Sequence, residues 1–113
     1  MKELFKKFEL KNMVSLVVGG SGQIGSETVK VLLAAGSTVV NIDNFNKIKS
    51  QKKYFYHKVN ISNEREIIKF KELFRKKYKK LNILINHAHY IGKEKKNFFS
   101  KLEKYPTIEW KNT

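Results

Sequence analysis

Four short apolar runs alternate along this chain with longer amphipathic or polar stretches. The first, Met13–Val18, is almost continuously apolar and rich in valine. A run of that length and composition predicts a strand buried on both faces, as in the interior of a parallel sheet. It leads straight into Gly19-Gly20-Ser21-Gly22-Gln23-Ile24-Gly25. Beyond the glycines, Ile24, Thr28, Val31, Leu32 and Ala35 recur at helical spacing and predict a helix with that face turned inward. Gly36 stands where a left-handed residue would end such a helix. Ser37–Ile42 predicts a second buried strand, closing at Asp43. Strand, glycine turn, helix and strand make a βαβ unit.

Residues 44–53 are polar and lysine-rich and predict a connection with at most a short helix. Tyr54–Val59 reads as a third strand by its aromatic and β-branched content. Ser62 or Asn63 can cap a helix running to about Lys79, with Glu64 and Glu66 at its positive end. Ile67, Phe70, Phe74 and Tyr78 form its apolar face, opposite Lys69, Lys71, Arg75, Lys76 and Lys79. Leu81–Asn86 predicts a fourth strand. Residues 1–11 form a charged leader, and residues 92–113 an irregular tail, weakly helical after Pro106. With no repeat and no linker, residues 1–113 are expected to form a single partial domain.

Composition narrows the function classes. Lys and Arg number 24 against 10 Asp and Glu, a formal charge of +14, yet Arg65 and Arg75 are the only arginines. The lysines run from Lys2 to Lys111 without an aromatic-interleaved cluster, which favours a solvated basic surface over specific nucleic-acid binding. Cysteine is absent, which excludes disulfides, thiolate nucleophiles and cysteine-ligated zinc. No apolar run approaches the roughly 20 residues needed to span a bilayer, and the charged start lacks a signal peptide's apolar core. A soluble cytoplasmic protein without a membrane partner is expected.

The glycine loop carries the chemistry. Glycine admits positive φ and lets a pyrophosphate approach where a Cβ would intrude, while the following helix offers free N–H groups and its positive end. A strand before the loop and a helix after it is the context that dinucleotide binding demands. Asp43 lies eighteen residues beyond Gly25 at the end of the second strand and is the only aspartate. A carboxylate there accepts the ribose hydroxyls of an adenosine and repels a 2′-phosphate, which favours NAD over NADP; Lys47 and Lys49 pull modestly the other way. The hydroxyl of Ser21 is expected to face phosphate. His87 and His89 are two residues apart, but without carboxylate partners or cysteine no metal site is expected.

These residues resemble the first half of a short-chain dehydrogenase/reductase. Val18 to Gly25 is similar to the family's glycine loop, written TG-x-x-x-G-x-G or TG-x-x-G-x-x-G, with Val18 in place of Thr. Asp43 falls at the acidic position that marks NAD preference. Asn60-Ile61 resembles the Asp-Val pair that touches adenine, and Asn86-His87-Ala88-His89 the Asn-Asn-Ala-Gly motif after the fourth strand. Phe99 to Trp110, including Leu102–Tyr105, resembles the segment leading into the family's fourth helix. The resemblance implies an α/β Rossmann-like doubly wound parallel sheet of about four strands in the order 3-2-1-4. It also implies a cofactor site of Gly19, Ser21, Gly22, Gln23, Ile24, Gly25, Asp43, Asn60, Ile61, Asn86 and Ala88.

The family's catalytic Ser and Tyr-x-x-x-Lys lie after a fifth strand, beyond these motifs, so the catalytic residues are unknown and the chain alone is expected to be inactive. Tyr54 and Lys58 do have that spacing, but on the third strand, far from where a nicotinamide would lie. The implied function is the cofactor half of an NAD(P)-dependent oxidoreductase. The alternatives are a fragment of an extended-type sugar-nucleotide epimerase or dehydratase, or a non-catalytic dinucleotide-binding remnant. Strand 81–86 would be left as an apolar edge, an invitation to self-association.

Overall fold

The computed structural model describes residues 1–89 and 99–112. A short leader helix, α1 (Lys2–Lys6), buries no residue. Strand β1 (Val14–Val18) follows, then α2 (Gln23–Ala34), β2 (Thr38–Asp43), β3 (Tyr54–Lys58), α3 (Glu64–Lys77) and β4 (Ile83–Asn86). The connection from residue 44 to 53 carries no helix. In the tail, a single 3-10 turn (Leu102–Lys104) precedes α4 (Thr107–Asn112), which starts directly after Pro106. Phe99, Leu102, Ile108 and Trp110 are exposed. The part of the expected tail between residues 92 and 98 lies outside the described residues.

The four strands form one parallel sheet in the order β3-β2-β1-β4, as expected. Its two faces alternate along each strand, as the two-residue period of a strand requires. Val17 and Val39 face α2, where they meet Val29, Leu32 and Tyr54. Val14, Val40 and Ile42 face α3, where they meet Val59, Phe70 and Phe74. Both faces of the central strands are therefore buried, which is why β1 and β2 read as nearly unbroken apolar runs.

The helix ends are built as the sequence demands. Asn63 caps α3, its side-chain oxygen accepting from the Arg65 and Glu66 N–H groups at 3.1 and 3.4 Å. Gly36 has φ +95° and closes α2, with the Gly36 N–H donating to Leu33 O and the Ser37 N–H to Leu32 O. This pair of bonds is the Schellman arrangement, for which a residue without Cβ is favoured.

Two apolar faces depart from expectation. Helix α2 buries Gly25, Ser26, Val29 and Leu32, whereas Ile24 and Val31 are 70% and 67% exposed. The helix is rotated so that its smallest residues touch the glycine loop, because a close backbone approach outranks the most apolar stripe. On α3, Phe70 and Phe74 are buried but Ile67 is 41% exposed. Ile67 lines an open groove of about 440 Å3 with Leu16, Phe74 and Leu81, rimmed by Lys71, Arg75, Lys79 and Lys80. The fourth strand starts two residues late; before it Asn82 pairs with Val14, its N–H donating to Val14 O and its Oδ1 accepting the Val14 N–H, each at 2.9 Å, and Leu81 is exposed.

Candidate functional site

The chain runs β1, β2, β3 outward on one side and returns to place β4 on the other side of β1. The carboxyl ends of β1 and β4 therefore flank a topological switch point, where open α/β sheets bind their ligands. Val18 pairs with Ile42 on one side and Asn86 on the other, so the glycine loop, Asp43 and the residues after β4 leave the sheet at one level.

The loop is tight and its glycines do different work. Gly19 has φ +79°, and its N–H donates to Ile42 O at 2.9 Å. A Cβ there would stand 2.9 Å from Ala88 N, so the loop lies directly against the residues after β4. A Cβ on Gly25 would stand 2.1 Å from Gly19 O, so the first turn of α2 and the loop are in backbone contact. Gly22 is the helix cap with φ −72°, and a Cβ there would meet nothing closer than Gly19 O at 3.4 Å. Among the described residues no side chain caps α2, and its first turn holds no acidic residue. The positive end of the helix is thus left for an outside anion. Gln23 and Ile24 are exposed at that end.

Asp43 closes the second side. Its carboxylate accepts from the Ser21 N–H at 3.0 Å and from the Asn44 N–H at 2.7 Å, which fixes the acid at the mouth of the loop. The Asp43 carbonyl in turn accepts the Val59 N–H and the Tyr56 hydroxyl, each at 3.1 Å. Further along, the Asn60 N–H donates to a Glu66 carboxylate oxygen at 2.7 Å, and Asn60 Oδ1 accepts the Ser62 N–H. Both Asn60 and Ile61 are exposed, and Asn60 borders a cleft of about 630 Å3 that also reaches Asn44, His57 and Lys69 but no residue of the glycine loop. After β4, Asn86 Oδ1 accepts the Ala88 N–H at 3.0 Å, and His87 Nε2 lies 2.9 Å from Thr28 Oγ1 on α2.

One expectation is corrected. The Ser21 hydroxyl does not face the open side of the loop; the residue is fully buried and its Oγ accepts from Asn41 Nδ2 at 2.9 Å. The cause is Asn41 itself, a buried amide on β2 that sequence reasoning passed over. Its Oδ1 also accepts the Gly20 N–H at 2.9 Å, and its Nδ2 lies 3.0 Å from the Tyr54 hydroxyl. A legible signal existed: one polar residue inside the run Val39-Val40-Asn41-Ile42, at a position whose neighbours are all buried. Asn41 thereby ties the glycine loop to β2.

Tyr54 and Lys58 do not form a proton-transfer pair. The Tyr54 hydroxyl donates to Asn46 Oδ1 at 2.8 Å, and burial pushes its phenol above the ordinary tyrosine value, away from neutral-pH acid–base work. Lys58 is exposed. Among the described residues no three His, Asp or Glu side chains converge as a metal site would require.

Comparison with known proteins agrees with this geometry. The model of the short chain dehydrogenase family matches residues 13–110. No curated protein sequence matches. Among solved structures, a short chain dehydrogenase from Leptospira borgpetersenii with bound NAD+ superposes with a TM-score of 0.70 at 28% identity, over 80% of this chain and 35% of that one. The ligand-free aldohexose dehydrogenase of Thermoplasma acidophilum gives 0.71 at 22% identity, over 90% and 37%. An epimerase from Methanothermobacter thermautotrophicus gives 0.58 at 22% identity, over 78% and 25%. The chain thus spans little more than a third of the length of the two dehydrogenases.

Proposed function

Since the chain belongs to the short-chain dehydrogenase family, we propose that it is the dinucleotide-binding part of an NAD-dependent oxidoreductase. The observation that carries this reading is the loop after β1, where uncapped helix, close-packed glycines and a carboxylate meet. The residues fit the cofactor. A diphosphate would lie over Gly22 and the amides of Gln23 and Ile24, where no Cβ or capping side chain competes for the space. Asp43, already oriented by the Ser21 and Asn44 amides, keeps lone pairs for two ribose hydroxyls, since an ionised carboxylate offers about four acceptor sites. Asn60 and Ile61 would border the adenine, with Asn86 and Ala88 on the other side of the loop. The bound nicotinamide would supply hydride exchange. The described residues of this chain bind and orient the cofactor and take no proton-transfer role.

NAD rather than NADP follows from charge. A 2′-phosphate beside Asp43 would place like charges within a few ångströms, and the acid already sits against the loop. Titration with NADH and NADPH, followed by nicotinamide fluorescence, tests the assignment. The wild-type chain should prefer NADH by about tenfold or more, and Asp43→Ala should erase most of that preference. An unchanged NADH/NADPH ratio in Asp43→Ala would remove Asp43 from the site, and no binding of either nucleotide would overturn the reading itself.

A further inference from the structure

Asn41 is fully buried, and every polar atom of its side chain is engaged. It accepts from the Gly20 N–H and donates to Ser21 Oγ and the Tyr54 hydroxyl; Tyr54 donates onward to Asn46. Asn46 also holds Ile48 on both sides, its Nδ2 donating to Ile48 O and its Oδ1 accepting the Ile48 N–H, each at 3.1 Å. A single polar line thus joins the glycine loop to the connection that follows Asp43. Gly20 is the steric half of the device. A Cβ there would fall 2.5 Å from Asn41 Oδ1 and 2.7 Å from Asn41 Cγ, so the amide occupies the space a side chain would need.

We propose that Asn41 is a positioning residue for cofactor binding, locking Gly20 and Ser21 in place and, through Tyr54 and Asn46, setting the distance between the diphosphate loop and the ribose-flanking connection. It touches no ligand itself. This inference rests on the dinucleotide reading, which it deepens. Pre-organisation is the physical effect: a loop held in its bound shape by buried hydrogen bonds loses less freedom when ligand arrives. The buried partners also make the amide hard to replace, because removing it strands an N–H away from water.

Two measurements test the lock, one of which needs no ligand. Amide hydrogen exchange at Gly20, read by NMR, should be slow in the wild-type chain and faster by about tenfold or more in Asn41→Ala, with helix α3 amides unchanged. NADH and ADP titrations should show Asn41→Ala and Tyr54→Phe weaker by roughly tenfold and threefold, while adenosine, which lacks the diphosphate, binds Asn41→Ala nearly as well as wild type. Gly20→Ala should bind neither nucleotide, and the double variant Gly20→Ala with Asn41→Ala should recover part of that loss because the methyl takes the vacated space. Tyr54→Phe keeps the core volume, so it reports even where Asn41→Ala does not fold. Unchanged Gly20 exchange in folded Asn41→Ala, a double variant no better than Gly20→Ala, or Tyr54→Phe binding ADP like wild type would each overturn the lock. A wild-type chain that shows slow Gly20 exchange yet binds no NADH would overturn the dinucleotide reading and leave the lock as a structural device without its proposed purpose.

Discussion

Replacing Gly25 by alanine puts the loop geometry to its hardest test. The new Cβ would stand 2.1 Å from Gly19 O, 2.8 Å from Gly20 Cα and 2.9 Å from Gly19 C, all backbone atoms that no rotamer change can move. Ordinary contact begins at 3.4 Å, so loop and helix must part by about 1.3 Å. The bonds that hold the loop are 2.9 Å from Gly19 to Ile42, 2.9 Å from Gly20 to Asn41 and 3.0 Å from Ser21 to Asp43, and such an opening breaks one or two of them. Each broken bond costs about 1 kcal/mol, and overpacking adds about 1–3 kcal/mol. The better helix propensity of alanine returns about 1 kcal/mol. The net loss is about 1–4 kcal/mol, or a Tm lower by roughly 5–25 °C for a domain of this size. Circular dichroism melts measure it, with Gly22→Ala as the control. That residue has φ −72° and its Cβ would meet its nearest atom at 3.4 Å, so its melt should shift by less than about 1 kcal/mol. Gly22→Ala should nonetheless weaken NADH, since its methyl projects where the diphosphate is proposed to pass. A Gly25→Ala melt within about 2 °C of wild type would refute the reasoning that loop and helix are in backbone contact.

Among the described residues strand β4 pairs only with β1, and Leu84 is 61% exposed. Sedimentation should therefore show reversible self-association that strengthens with salt, as the +14 charge is screened, and Leu84→Lys should suppress it; a monomer at all salt concentrations would count against this edge. His57 stands 2.7 Å from the Tyr78 hydroxyl and packs on Phe70, and burial, with Lys77 nearby, holds its imidazole below the ordinary value of 6.5. The unfolded chain takes up that proton first, so folding stability should fall as the pH drops below about 6.5, and the loss is complete once the pH passes the lowered folded value. Melts at pH 7.5 and pH 5 should show a smaller drop in His57→Gln than in wild type; equal drops would place the acid sensitivity elsewhere. The Tyr78 phenol, pushed up to about 12 by burial, stays neutral across that range.

Much of this protein was legible in local pattern. Valine-rich runs, glycines at 19, 22, 25 and 36, and Asn63 ahead of Glu64 and Glu66 fix conformations through sterics and capping that act over a few residues. From these the strands, the βαβ order and the place of the loop follow, and strand order 3-2-1-4 agrees with the sheet. Three features needed the tertiary structure. The rotation of α2 depends on how closely Gly25 approaches Gly19 across a turn, so counting apolar residues chose Leu32 correctly but took Ile24 and Val31 where the fold buries Gly25, Ser26 and Val29. The direction of the Ser21 hydroxyl depends on Asn41, twenty residues away and brought beside it only by the pairing of β1 with β2. The exposure of Ile67 and Leu81 depends on what packs over the α3 side of β1, which no spacing within α3 can encode. Periodicity reports that a face is apolar, but only the packed sheet decides which residues meet, because contacts between distant segments are set by topology and backbone approach rather than by neighbours in sequence.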